Sequence, residues 1–310
     1  MEDNNKEIKK EGVILNIIIA ILVIVIVIFG GLIVKERFFD KDSKGKNQAI
    51  EIKKYDEEVK IDASLATQPL TDAYIEGLDN FKITADYSNT DPAYTKLINK
   101  EVDLIVVTEP SKEELERAKE ANVELEVTPV VNEGFVFYTN VNNSVNALTL
   151  EQIQKIYTGE ITNWKDLGGE DASIIAYQRP VNSGSQTGIL SLVMKDKKMK
   201  EPTTTEYVES MAGIIDVVSN YDNGKEAIGY SYYYYATAMY GNDKMKFFSV
   251  DGVFPNHDTI KNSSYPLITA YYIVTLKGND NETVKALKST MLSSRGQEIA
   301  RKAGYVELGD

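Results

Sequence analysis

The 310-residue sequence contains no cysteine and only one histidine, His257, and these two shortages exclude several kinds of chemistry. Without cysteine there are no disulfides, no thiol nucleophiles, no cysteine metal sites and no bacterial lipoprotein anchor. A single histidine argues against a histidine-rich metal site and against a Ser-His-Asp triad. We therefore predict a protein without a metal site.

Basic residues are also in short supply, with 34 Lys and Arg against 47 Asp and Glu and a formal net charge of −13. Nucleic-acid-binding proteins need Lys and Arg clustered on one face, and the sequence has no such cluster. We therefore predict no nucleic-acid partner. A small anion is not excluded, because local backbone dipoles can hold it in a cleft whatever the net charge.

One long hydrophobic run lies near the amino terminus, at residues 13–34. Its roughly 22 residues carry no charge, and as a helix they would span about 33 Å, enough to cross a hydrocarbon core. Because no small-x-small cleavage site follows, we favour an uncleaved signal-anchor over a cleaved signal peptide. The sequence thus predicts a cytoplasmic tail at 1–12, a transmembrane helix at 13–34 and a polar linker at 35–55.

Beyond residue 55 the pattern alternates between strands and helices. VDLIVV at 102–107 and SIIAYQ at 173–178 are typical of buried strands, and VELEVTPVV and EGFVFYTN are interpreted as two further strands. Ser111 and Thr149 each begin a helix with a capping-box pattern, and the last segment is helical. This alternation predicts an α/β fold built from βαβ units.

Three predicted helices begin with hydroxyl side chains, and the third follows an arginine, Arg179, at the end of a strand. The free amide groups and partial positive charge of a helix N-terminus favour an anion, and a guanidinium offers a planar fork of donors to an oxyanion. Ligands of α/β folds lie beyond the carboxyl ends of strands, so we predict an oxyanion site here. The hydroxyl residues are Ser64 and Thr67, then Ser88 and Thr90, then Ser183, Ser185 and Thr187.

Ser185 also raises the alternative of a hydrolase with a serine nucleophile. The segment around it matches neither G-x-S-x-G nor the phosphate-binding loop G-x-x-x-x-G-K-[ST]. His257 is the one histidine that could serve as a base, and it lies in an unrelated stretch. We therefore predict a binding site without catalytic residues, cofactor or turnover.

ITNWKDLGG at 161–169, preceded by LTLEQIQKIYTGE and followed by the arginine and the Ser-Gly-Ser-x-Thr cluster, resembles the phosphate-binding proteins of Pst-type ABC importers. The resemblance extends from about Ile61 to the carboxyl terminus. It implies a type II periplasmic-binding-protein fold, in which two α/β lobes are joined by a hinge of two crossing strands. The implied ranges are 56–137 with 269–310 for lobe I, 138–268 for lobe II, and 135–140 and 266–274 for the crossings.

The resemblance also implies a set of residues that bind the oxyanion. The sequence departs from the family pattern at two positions. Leu65 stands where a phosphate-contacting threonine is common in the family, and Thr108 stands where the family has an aspartate that accepts the proton of hydrogen phosphate. Glu109 is the neighbouring residue that could take that role. The implied ligand residues are Ser64, Ala66, Thr67, Thr90, Glu109, Arg179, Ser185, Gln186 and Thr187.

The function implied by the resemblance is extracytoplasmic capture of a small oxyanion, with phosphate favoured, for an ABC permease in the membrane. The protein would then be a single-pass protein of the cell membrane with its carboxyl-terminal binding domain outside. The alternative is a membrane-anchored anion sensor or surface-interaction module on the same fold, which would suit the permanent anchor and the departures at Leu65 and Thr108.

Overall fold

The computed structural model describes residues 53–220 and 224–309. The predicted cytoplasmic tail, the predicted transmembrane helix at 13–34 and the linker up to residue 52 lie outside the described residues. Within the described ranges, no helix combines the length and the apolar character needed to span a bilayer. The first strand begins at Tyr55, the last residue of the predicted linker.

Strands and helices alternate along much of the described chain and form a two-lobed α/β fold. The strands are β1 (Tyr55–Ser64), β2 (Phe81–Ser88), β3 (Leu104–Val107), β4 (Leu125–Asn140), β5 (Ala147–Leu148), β6 (Ile175–Ala176), β7 (Ala227–Tyr232), β8 (Met245–Phe247), β9 (Ser249–Val250) and β10 (Ile268–Leu276). The α-helices are α1 (Gln68–Gly77), α2 (Thr90–Ile98), α3 (Lys112–Glu120), α4 (Leu150–Thr158), α5 (Gly184–Gly188), α6 (Met211–Asn220), α7 (His257–Lys261), α8 (Glu282–Leu292) and α9 (Ser294–Lys302). A π-helical segment, Ile189–Met194, continues α5.

The first lobe is built on a sheet with the strand order β2-β1-β3-β10-β4. β1 pairs in parallel with β2 and β3, whereas β10 is antiparallel to β3 and β4. All four residues of β3 are buried, as expected for a central strand covered on both faces. Because β1, β2 and β3 are parallel, their carboxyl ends lie at one edge of the sheet, where α1 and α2 also begin.

β4 is a single strand of 16 residues that belongs to both lobes, although the sequence predicted two separate strands here. It pairs with β10 up to Gly134 and with β7 and β8 from Phe135 onward. The chain returns beside this point, where the Phe135 amide donates to the Leu267 carbonyl at 2.8 Å. The two lobes are therefore joined by two adjacent chain segments. The crossings predicted at 135–140 and 266–274 each begin within one residue of the Phe135–Leu267 hydrogen bond. The first then continues into the second lobe, and the second continues into the first lobe.

The second lobe is organised around β7, which pairs with β4 and, in parallel, with β6. The strand predicted at 173–178 is shorter in the structure, because beyond Ala176 the backbone begins to pair with another segment. The Tyr177 amide still donates to the Ile228 carbonyl of β7 at 3.1 Å, but the Gln178 amide donates to the Glu206 carbonyl at 2.8 Å. Trp164 is buried, stacks on Phe248, and anchors the ITNWKDLGG loop through a hydrogen bond from its indole to the Glu226 carbonyl.

Both predicted capping boxes are confirmed. The Ser111 side chain accepts from the Glu114 amide, and the Thr149 side chain accepts from the Gln152 amide. The predicted carboxyl-terminal helix is two helices, because the Ser293 side chain ends α8 and caps α9. α9 packs on α1 in the first lobe.

Candidate anion-binding site

A cavity of about 460 Å³ lies between the two lobes. First-lobe residues at the carboxyl ends of β1 and β3 and at the start of α2 form one side, and second-lobe residues around α5 and β7 form the other. Five of the predicted ligand residues line this cavity: Ser64, Ala66, Thr90, Arg179 and Ser185. Segments that are far apart in sequence therefore meet in one cleft, as the positions of the helix starts indicated.

The loop after β1 is held in place by Thr67, which lies behind the cavity lining. The Thr67 hydroxyl donates to the Val106 carbonyl at 2.5 Å, and its Oγ1 lies 3.0 Å from Ser64 Oγ. Thr67 is fully buried and already hydrogen-bonded, so it shapes the loop. Leu65 and Ala66 are thereby placed at the cavity, and their amides donate to no other group of the described chain.

The first turn of α2 also faces the cavity. Its N-cap residue, Asn89, makes no side-chain capping hydrogen bond, so the first amides of the helix have no intrahelical or capping partner. Asp91 lines the cavity as well, but its carboxylate forms an ion pair with Arg117. The negative charge on this wall is therefore compensated, and the amide and hydroxyl donors near Thr90 stay available to an anion.

Arg179 carries the positive charge of the second-lobe wall. Its Nε and Nη1 atoms are buried without a hydrogen-bond partner, and it pairs with no carboxylate among the described residues. Burial lowers the pKa of the guanidinium from its usual value. Ser185, only 2% exposed, likewise has a hydroxyl without a partner. Buried donors without partners are rare in proteins and costly, so these atoms indicate a ligand that supplies acceptors.

Four of the predicted ligand residues lie outside the cavity lining: Thr67, Glu109, Gln186 and Thr187. Gln186 is turned toward Tyr230 and the backbone of Arg179. Glu109 accepts a hydrogen bond from Ser191, across the cleft from its own lobe. Thr187 is buried in α5.

Several cavity residues are absent from the set that the resemblance implied, among them Thr108, Ser183, Gly184 and Tyr232. Ser183 and Gly184 belong to the same Ser-Gly-Ser-x-Thr cluster as Ser185 and Thr187. Tyr232 is the first of four consecutive tyrosines, and its hydroxyl donates to the Gly184 carbonyl at 2.8 Å. Thr108 follows a strand end directly, a position where ligand contacts are common in α/β folds.

His257 does not line the cavity; its Nε2 lies 3.6 Å from Glu307. In the part of the chain that the structure describes, no three or more His, Asp and Glu side chains are placed to hold a metal ion. The geometry therefore assembles hydrogen-bond donors around a cleft. It places no base against Ser185 among the described residues.

A cleft between two α/β lobes, joined by two adjacent segments and lined by donors from both sides, defines a two-lobed ligand-binding protein. The chain belongs to the periplasmic-binding-protein (PBP) superfamily: residues 56–295 match the family described as PBP superfamily domain.

Curated relatives and solved structures are consistent with this membership. The phosphate-binding protein PstS of Borreliella burgdorferi is 28% identical over 261 residues, covering 81% of this chain and 90% of the relative. PstS of Bacillus subtilis is 29% identical over 178 residues, covering 57% of this chain and 56% of that protein. A crystal structure from Clostridium perfringens, assigned as a phosphate ABC transporter substrate-binding protein with bound phosphate, is similar with a TM-score of 0.66 at 27% identity, covering 82% of this chain and 100% of that one.

Proposed function

We propose that this protein is an extracytoplasmic solute-binding protein that captures a small oxyanion, inorganic phosphate first among them, and presents it to an ABC permease. The observation that carries the proposal is the set of buried, unpartnered donors of Arg179 and Ser185 in the cleft between the lobes. The names of the relatives support phosphate as the anion.

In this proposal the anion replaces its hydration shell with donors from both lobes. Ser64, Thr90 and the amide of Ala66 act from the first lobe, and Arg179 and Ser185 act from the second. Charge-assisted hydrogen bonds from a guanidinium to an oxyanion are about twice as strong as neutral ones. No covalent bond is made or broken, so affinity comes from donors that each lobe already holds in place before the anion arrives.

An anion that contacts both walls favours the arrangement in which the lobes are close together. Rotation about the two adjacent segments near Gly134 and Leu267 would bring the walls together with little change inside either lobe. The permease would then distinguish loaded from empty protein by the relative position of the lobes. A membrane anchor at residues 13–34 would keep the binding domain near that permease.

Isothermal titration calorimetry of the purified full-length protein with phosphate, sulfate and molybdate tests the proposal. We expect phosphate to bind, and Arg179→Ala to weaken binding by about a hundredfold, since hydrogen bonds to charged groups contribute roughly 1.5–3 kcal/mol each. The matched control is Arg295→Ala, because Arg295 lies outside the cavity and pairs with Asp79. Unchanged phosphate affinity in Arg179→Ala would show that phosphate does not bind in this cavity.

A further inference from the structure

The backbone of Arg179 is held by two side chains that lie behind the cavity. The Arg179 amide donates both to Gln186 Oε1 and to the Tyr230 hydroxyl oxygen, each at 3.1 Å. The Tyr230 hydroxyl in turn donates to Gln186 Oε1. The three groups form a closed triangle that joins the segment after β6, the middle of α5 and the middle of β7.

The surroundings make this triangle rigid. Gln186 is 6% exposed, and its amide nitrogen lies 3.6 Å from the sulfur of Met199. The Tyr230 ring packs against three aromatic rings, with centroid separations of 5.7 Å to Phe135, 6.2 Å to Phe137 and 5.7 Å to Tyr157. Neither Gln186 nor Tyr230 lines the cavity. Both therefore act on the protein side of Arg179, away from the ligand.

Arg179 needs such support because β6 ends at Ala176 and the last backbone pairing before Arg179 is the isolated bridge of Gln178 with Tyr207. Without Gln186 and Tyr230 the Arg179 amide would lack a partner, and the backbone that carries the long side chain would be less constrained. A long, flexible side chain binds well only if its starting point is fixed, since ordering it on binding costs conformational entropy.

We infer that Gln186 and Tyr230 are positioning residues for anion binding: together they fix the backbone of Arg179 so that its guanidinium is directed into the cleft before the ligand arrives. The inference rests on the proposed function. It also gives Gln186 a different role from the one that the resemblance implied, because Gln186 acts through Arg179 and does not touch the anion.

Phosphate affinity of full-length variants tests the inference. Gln186→Met keeps the length of the side chain but removes the acceptor, and we expect affinity to fall about tenfold, on the scale of one or two lost buried hydrogen bonds. Tyr230→Phe removes one hydroxyl with little change in volume and should lower affinity about fivefold.

Two further measurements separate positioning from a general structural effect. Gln154→Met is the matched control, because Gln154 donates to the Val193 carbonyl at 2.7 Å in the same lobe and lies outside the cavity. It should lower the melting temperature without changing affinity. In a double-mutant cycle, Gln186→Met should add less than about a twofold loss to Arg179→Ala, since there is no longer a guanidinium to position.

The inference is overturned if Gln186→Met and Tyr230→Phe, both folded by thermal melting, bind phosphate as the wild type does. It is also overturned if Gln186→Met weakens binding equally with and without the Arg179 side chain. A failure of the proposed function is different: there the wild type binds no oxyanion, or Arg179→Ala binds as well as the wild type.

Discussion

Gly184 and Thr108 face each other across the cleft, and the Thr108 side chain leaves no room for a side chain at residue 184. A β-carbon placed on Gly184 would lie 2.6 Å from Thr108 Oγ1 and 2.9 Å from Thr90 Oγ1. Gly184 belongs to the second lobe, and both threonines belong to the first. The glycine is required here by the close approach of the two walls, which is one recognised reason for glycine at a ligand site.

Gly184→Ala should therefore weaken anion binding and leave the fold intact. The added methyl group overlaps two hydroxyl groups of the other lobe, so we expect the walls to be held apart and phosphate affinity to fall about tenfold or more, in line with the 1–3 kcal/mol cost of overpacking. Alanine is a better helix former than glycine, so the melting temperature should change little. Calorimetry and thermal melting measure the two effects.

The control for this substitution is Gly309→Ala, because nothing lies within 4 Å of a β-carbon at Gly309. Adding Thr108→Ala to Gly184→Ala removes the closer of the two overlaps and should recover part of the affinity. If Gly184→Ala binds phosphate as tightly as the wild type, the walls do not need to approach at this point.

Glu109 and Ser191 join the lobes at a second point, where the Ser191 hydroxyl donates to the carboxylate. Ser191→Ala removes this hydrogen bond without touching the cavity, so we expect phosphate and sulfate to dissociate about two- to fivefold faster, as for the loss of one exposed hydrogen bond. Stopped-flow release experiments measure both rates.

Glu109→Gln distinguishes this interpretation from the role that the resemblance implied. If Glu109 accepts the proton of hydrogen phosphate, the substitution weakens phosphate and leaves sulfate unchanged. If it only joins the lobes, the amide oxygen of Gln still accepts from Ser191, so both anions keep nearly their wild-type affinity.

The convergence of the site could be predicted from sequence because it depends on local signals and on topology. Ser64 ends β1, and Thr90 begins the helix after β2. Parallel strands place such positions at one edge of a sheet, so hydroxyl-rich helix starts that follow them must lie close together. The same local character explains why the capping boxes at Ser111 and Thr149 were predicted correctly.

The direction of individual side chains could not be predicted, because it depends on partners far away in the chain. Gln186 is turned by Tyr230, 44 residues away, and Thr67 by the Val106 carbonyl, 39 residues away. Nothing in the motif itself separates Gln186, which lies behind the cavity, from Ser185, which lines it. The continuous strand β4 was missed for a related reason: apolar and polar residues alternate in the same way whether or not a strand changes sheets at Gly134.

Glu133 provides a buried carboxyl group at the junction of the two lobes. It is 1% exposed and accepts hydrogen bonds from the amides of Gly134 at 2.8 Å and Tyr234 at 3.3 Å. Desolvation by burial raises the pKa of this carboxyl from 4.5 to about 8 despite those hydrogen bonds. Below about pH 8, the folded protein therefore favours the protonated, neutral form of the Glu133 carboxyl group.

The pH dependence of stability should reveal this group. The folded state holds the Glu133 proton up to about pH 8, whereas the unfolded state releases it near 4.5. The contribution of Glu133 to the free energy of unfolding is thus fully present below about pH 4.5 and is lost as the pH rises to about 8. Over this range the free energy of unfolding falls by up to roughly 1.4 kcal/mol per pH unit. Gln cannot titrate, so in urea denaturation between pH 5 and pH 8 the Glu133→Gln variant should lose less stability than the wild type. Two parallel curves would mean that Glu133 is ionised in the folded protein, and its hydrogen bonds from Gly134 and Tyr234 would then have to compensate a buried charge.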